Sequence, residues 1–182
     1  MSACVYPGSF DPFTLGHLDI VERAGRLFDR VVVLVCNNSS KPSRFLDLDS
    51  SLEAIQATLE QKFHASDKYS VDVLPNHFSV VDFMLKIYSE VINGQLNIIR
   101  GIRDSSDADM EIRLFEQYKW FASGYAGQIE FIPLIAKPEH KALSSTLVRE
   151  MTRMSTVNPT AWPVPDIVRN AILAKTRQYS YI

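Results

Sequence analysis

Val5-Tyr6-Pro7-Gly8-Ser9-Phe10-Asp11-Pro12-Phe13-Thr14-Leu15-Gly16-His17 decides how the rest of this chain is read. The apolar run from Ala3 to Tyr6 has the character of a buried strand. Pro7, Gly8, Asp11 and Pro12 stop it, and from about Gly16 a helical spacing begins with Leu18, Ile20, Val21 and Ala24. The order is strand, polar loop, helix. Such a junction aims the free N–H groups of a helix N-terminus, and its positive dipole end, at whatever the loop holds, which favours an anion such as phosphate. Thr14 and His17 fall at that spot. A histidine there either donates to phosphate oxygens or stands as a solvated helix-end residue, and spacing alone leaves both readings open.

The pattern repeats downstream. Residues 17 to 28 form an amphipathic helix, and Val31 to Val35 is an unbroken β-branched run suited to a strand covered on both faces. A polar loop from Asn37 to Pro42 carries Lys41. Asp47 is placed to cap a helix from Leu48 to about Phe63, and Tyr69 to Leu74 is a third strand. Residues 80 to 92 read as a helix with Val80, Val81, Met84, Leu85 and Tyr88 inward. Leu96 to Ile99 is a fourth strand, a helix with an acidic first turn follows from about Asp107 to Ser123, and Ile129 to Ile135 is a fifth strand. Ser144 caps a helix running to about Met154, and Pro163 to Lys175 forms the last one, with Ile167, Val168, Ala171 and Ile172 on one face.

Strands alternating with helices predict a doubly wound α/β fold around a five-stranded parallel sheet, ending in a C-terminal helix. One domain over residues 1–182 is expected, with 155–182 as a helical extension. Ligands of such sheets bind beyond the carboxyl ends of the strands. That rim would gather Ser9 to His17, Asn37 to Lys41, Asn76 to Ser79, Arg100 to Arg103 and Ala136 to Ser145.

Its chemistry is cationic. Arg100 and Arg103 flank Gly101 on the segment after the fourth strand, and two guanidinium groups there can hold two phosphates, or simply form surface ion pairs. Lys41 offers a mobile point charge or mere solubility. Ser144-Ser145-Thr146, with Arg149 one turn later, sets hydroxyls and N–H groups at a second helix start, although a plain cap would need only one hydroxyl. No nucleophile paired with a base is evident. Cations and dipoles around a space for phosphates suit direct in-line transfer.

Composition narrows the classes. Hydrophobic residues make up 46% and charged residues 22% of 182, with a net charge of −2, so bulk nucleic-acid binding is not expected. No apolar run reaches the ~20 residues that span a bilayer, and no signal-peptide pattern opens the chain, which leads to the expectation of a cytoplasmic protein without membrane partners. Cys4 and Cys36 read as buried free thiols, and no Cys/His set has zinc spacing.

Thr14-Leu15-Gly16-His17 is similar to the T/H-x-G-H signature of the nucleotidyltransferase superfamily, and Tyr6 to Pro12 resembles the opening of the bacterial phosphopantetheine adenylyltransferases. The resemblance continues through Lys41-Pro42 with Phe45, Val81-Asp82-Phe83, Ile99-Arg100-Gly101-Ile102-Arg103, Leu143-Ser144-Ser145-Thr146-Leu147-Val148-Arg149, and Val164-Pro165 with Ala171 to Lys175. It implies transfer of the adenylyl group of ATP, with magnesium, to 4′-phosphopantetheine, by a homo-oligomer, a hexamer in the relatives. It also implies a catalytic set of His17, Lys41 and Arg103. Ser9 and Phe10 would lie between the substrates, and Lys41, Arg100 and Val80 would face the acceptor. Thr14, Gly101, Ile102, Arg103, Glu111, His140, Ser144, Ser145 and Thr146 would border ATP; no protein metal ligands are assigned. Departures stand at His140, where the family has an aromatic residue, at Tyr118, where it has Asn, at Asp49-Ser50-Ser51, and at Ser79 and Val80. Because several of these fall on the acceptor side, another phosphorylated acceptor such as nicotinate mononucleotide is an alternative, as is a catalytically silent nucleotide-binding protein.

Overall fold

A computed structural model describes residues 2–37, 43–87, 96–122, 129–154 and 156–179. Five strands, β1 (Ala3–Gly8), β2 (Arg30–Val35), β3 (Tyr69–Val73), β4 (Leu96–Ile102) and β5 (Ile129–Ile135), form one sheet in the order β3-β2-β1-β4-β5. Every pairing is parallel. The helices are α1 (Leu15–Leu27), α2 (Leu48–Phe63), α3 (Val80–Ile87), α4 (Ser105–Phe121), α5 (Ser145–Arg153) and α6 (Asp166–Tyr179). This is the expected doubly wound sheet. Strand order reverses direction between β1 and β4, and the crevice beyond their carboxyl ends is where such folds place ligands.

The period of two along each strand sorts the core into two layers. Cys4 and Tyr6 of β1, Val31, Val33 and Val35 of β2 and Ile99 of β4 face one side, packed with Ile20, Val21 and Ala24 of α1, Ile55 and Leu59 of α2, Val148 of α5, and Val168 and Ile172 of α6. Ala3, Val5, Val32, Leu34 and Ile98 face the other side, against Val80, Val81, Phe83 and Met84 of α3. The unbroken apolar run of β2 is thus buried on both faces, as its composition requires.

Element edges differ from the sequence reading in ways that matter at the site. Helix α1 begins at Leu15 rather than 17, because Thr14 caps it, so His17 is its third residue. Strand β4 runs on to Ile102, pairing in register with β5 up to Ile102 and Ile135. Arg100 and Gly101 are therefore strand residues and not part of a loop. Helix α4 begins at Ser105, two residues early, capped by Asp104. Asp47 and Ser144 cap α2 and α5 as expected. Cys4 is buried and Cys36 only half-buried, and both are free thiols. Lys41, Pro42 and Tyr88 lie outside the described residues.

Candidate active site

The loop between β1 and α1 is held from three directions. Both oxygens of the buried Asp11 carboxylate accept backbone N–H groups, from Leu46 at 2.9 Å and Phe45 at 2.7 Å. Arg44 Nη2 donates to the Ser9 carbonyl at 2.9 Å. From α5, Ser145 Oγ donates to the Pro12 carbonyl at 2.8 Å and Arg149 Nη1 to the Asp11 carbonyl at 2.6 Å. Phe10 sits in the left-handed region at φ 44, a conformation costly for a side chain with a Cβ and sustained only by such surroundings.

Thr14 and His17 form a reciprocal cap in which an imidazole stands where a carboxylate is usual. Thr14 Oγ1 accepts the His17 N–H at 3.3 Å, and the Thr14 N–H donates to His17 Nδ1 at 3.0 Å. An Nδ1 that accepts carries no proton, so the proton of the neutral ring is on Nε2. Burial, reinforced by the nearby charges of Arg100 and Arg103, pushes the His17 pKa down to about 3. The rings of Phe10 and Phe13 pack around it, with centroids 5.1 and 5.6 Å away. His17 is thus a neutral, fixed N–H donor, and not a solvated helix-end residue.

Arg100 follows Ile98 onto the layer covered by α4, and there Glu111 takes its fork. Nε donates to one carboxylate oxygen at 2.6 Å, Nη2 to the other, and Nη1 to the Pro7 carbonyl. Arg103 is gripped the same way by Asp107, Nε and Nη2 donating at 2.7 and 2.9 Å. These bonds and the paired charges hold the Asp107 carboxyl below its ordinary range. The acidic first turn of α4, read in the sequence as a response to the helix dipole, thus also orients an arginine. Gly101 packs closely against α1: a Cβ there would meet the Ile20 side chain at 3.2 Å.

A cavity of about 470 Å³ opens between the starts of α1 and α5 and the end of β4. Ser9, Phe10, Thr14, His17, Arg100, Gly101, Arg103, Glu111, His140, Ser144, Ser145 and Thr146 all line it. Ile102 and Val80 do not: each is buried in the core. Lys41 lies outside the described residues. Ser79 has a structural task, since its hydroxyl accepts the Asp82 N–H at 3.0 Å and its own N–H donates back to the Asp82 carboxylate at 3.0 Å, capping α3. Tyr118 lies beside the layer of Val80 and Phe83, and burial pushes its phenol up to about 12.

Sequence reasoning gave no site role to Asp11, read only as ending the first strand, to Asp107, read only as an answer to the helix dipole, or to Asp19 and Arg44. The available signal for Asp19 was a charge among the apolar positions Leu18, Ile20 and Val21. For Arg44, nothing in its local pattern distinguishes it from a surface cation.

The chain resembles known proteins along most of its length. The family model described as cytidylyltransferase-like matches residues 5–151. Among similar proteins are the phosphopantetheine adenylyltransferases of Leuconostoc citreum, 36% identical over 94% of this chain and 97% of that one, and of Leptospira biflexa, 36% identical over 96% and 97%. Among solved structures, a Plasmodium falciparum nicotinic acid mononucleotide adenylyltransferase complexed with NaAD superposes with a TM-score of 0.64 at 14% identity, covering 96% of this chain and 95% of that one. At that identity the likeness concerns the fold.

Proposed function

The chain belongs to the cytidylyltransferase-like family and, within it, to the phosphopantetheine adenylyltransferases. From that premise we propose that it transfers the adenylyl group of ATP to 4′-phosphopantetheine, giving dephospho-coenzyme A and pyrophosphate in coenzyme A biosynthesis. The single observation that carries the mechanism is the tautomer of His17: with Nδ1 accepting from Thr14, Nε2–H is left for the cavity the ring lines.

The reaction needs no protein nucleophile. An oxygen of the acceptor phosphate attacks the α-phosphorus of ATP, a new P–O bond forms, the bond to the bridging oxygen breaks, and pyrophosphate leaves with the electron pair. Negative charge builds on the α-phosphate oxygens, and a neutral donor fixed before the reaction stabilises it without reorganisation. The starts of α1 and α5 add their dipoles to the same space. Arg103, Gly101, Glu111, His140 and Ser144 to Thr146 serve the ATP side. Ser9 and Phe10 stand between the substrates, and Arg100 with Lys41 serves the acceptor phosphate. Val80 and Ile102, both buried in the core, are left out of the substrate set.

Magnesium enters as the companion of ATP. The carboxylates lining the cavity, Asp19, Asp107 and Glu111, are each bound to a cation of the protein. The ion would therefore be held chiefly by phosphate oxygens and water, its usual arrangement on nucleotides, where it neutralises phosphate charge. Among the described residues no helix is long and apolar enough to cross a membrane. The free thiols support a cytoplasmic setting. Exposed Ile112, Trp120 and Phe121 along α4 support a homo-oligomer, a hexamer by analogy with relatives.

The test is to incubate the protein with ATP, magnesium and 4′-phosphopantetheine, with nicotinate mononucleotide as the comparison acceptor. Pyrophosphate is expected with the first acceptor and not with the second. Folded protein that binds ATP and yields no pyrophosphate with 4′-phosphopantetheine would overturn the assignment.

A further inference from the structure

We propose that Asp19 is a positioning residue for nucleotide affinity, acting through Lys137 on the cavity wall that bears His140. Asp19 is 7% exposed, sits two residues after His17 on α1, and lines the cavity. An ionised carboxylate beside a space for a polyphosphate repels the ligand unless it is neutralised, and its burial costs free energy unless it is paired. Lys137 binds Oδ1, and Arg23 approaches Oδ2 at 3.5 Å.

The placement of these partners gives the carboxylate its purpose. Arg23 Nη1 also donates to the carbonyl of Ile135, the last residue of β5, at 2.7 Å, and Lys137 follows two residues later. Helix α1 therefore grips the chain at two successive points as it leaves the sheet. The turn that follows passes close to the first turn of α1: a Cβ added at Gly16 would lie 3.8 Å from Leu143 and 3.9 Å from His140. His17 and the wall opposite it are thereby referred to one rigid helix. Lys137, with a side chain 46% exposed, has no need of burial for its own sake; Asp19 draws it in. Asp19 acts through Lys137 and the turn that Lys137 precedes, so its effect falls on ATP binding and not on the chemical step.

This inference rests on the assignment of that wall to ATP, and the experiment separates the two. Asp19→Asn, Lys137→Gln and the double variant are compared with wild type by calorimetry with ATP and by steady-state kinetics. Each single variant is expected to raise Kd and KM for ATP by about tenfold, and the double variant by no more than either, as coupled residues behave. KM for 4′-phosphopantetheine and kcat at saturating ATP should stay within about threefold, the signature of a lost ground-state interaction. If Asp19→Asn fails to fold, Lys137→Gln, at a half-exposed position, decides alone. ATP affinity unchanged in Lys137→Gln, additive losses in the double variant, or a fall in kcat with ATP affinity intact would each overturn the proposal while leaving the activity in place. Wild-type protein that binds no ATP would overturn the activity and the proposal together.

Discussion

His17 shows how one side chain can be given a single chemical form. Its Nδ1 is committed to the Thr14 N–H at 3.0 Å, and burial with two neighbouring guanidinium groups keeps the ring neutral. His17→Ala should therefore lower kcat by about 10²–10³, the usual cost of one lost transition-state donor, with ATP binding measured by calorimetry little changed. The pH behaviour follows from the same environment. The folded pKa is about 3 against 6.5 for the free side chain. Below the higher value the unfolded chain takes up a proton that the folded chain refuses until the lower one, so stability falls as pH drops through that window. His17→Gln should lose less stability between about pH 7 and 4.5 than wild type in denaturant titrations. The wild-type rate profile should carry no acid limb from His17 above about pH 5. Arg103 is already poised by Asp107, so Arg103→Ala should raise KM for ATP and change kcat less.

At the scale of elements, the junction of β1 with α1 is where packing and function meet. A Cβ at Gly8 would lie 2.8 Å from the Phe10 ring, and Phe10 packs edge-on to His17. Gly8→Ala should displace that ring and reduce kcat while the far-ultraviolet circular dichroism stays that of wild type. Asp11 ties the same loop to the segment before α2 by two backbone hydrogen bonds. Asp11→Ala would leave two N–H groups unpaired, one of them buried, at roughly 1–3 kcal/mol for such a group, read as a lower denaturant midpoint. The caps Asp47 and Ser144 were legible beforehand because a short polar side chain just before an apolar period has a local physical meaning, whereas Thr14, one residue before α1, was read only as part of the loop. The end of β4 was not legible, because Arg-Gly-Ile-Arg reads as a loop until β5 is beside it to supply hydrogen bonds as far as Ile135.

For the molecule as a whole, the C-terminal segment is part of the core. Trp162, Val164, Val168 and Ile172 join Ala54, Ile55 and Leu59 of α2 in the layer that also receives Tyr6 and Val33. Ile172 is fully buried, so Ile172→Ala should destabilise by roughly 2–5 kcal/mol, lowering Tm by several degrees. Lys175 of the same helix donates to the Phe45 carbonyl, next to the N–H groups that Asp11 binds. Anchoring of α6 therefore reaches the active-site loop through one short segment.

The sequence by itself determined the alternation of strands and helices, the caps Asp47 and Ser144, and the convergence of His17, Arg100, Arg103 and the Ser144 turn on one rim. Each of these depends on interactions within a few residues, or on the rule that parallel strands present their carboxyl ends together. Only the tertiary structure decided which partner each charge would take: Glu111 for Arg100, Asp107 for Arg103, Lys137 for Asp19. It alone decided that Val80 is core and that Ser79 caps a helix. Arg100 and Asp19 meet partners from other elements, 11 residues away at Glu111 and, at Lys137, across most of the chain. Such pairings depend on distances and burial that arise only when the layers close, because a side chain's charge is known from the sequence but its dielectric surroundings are not.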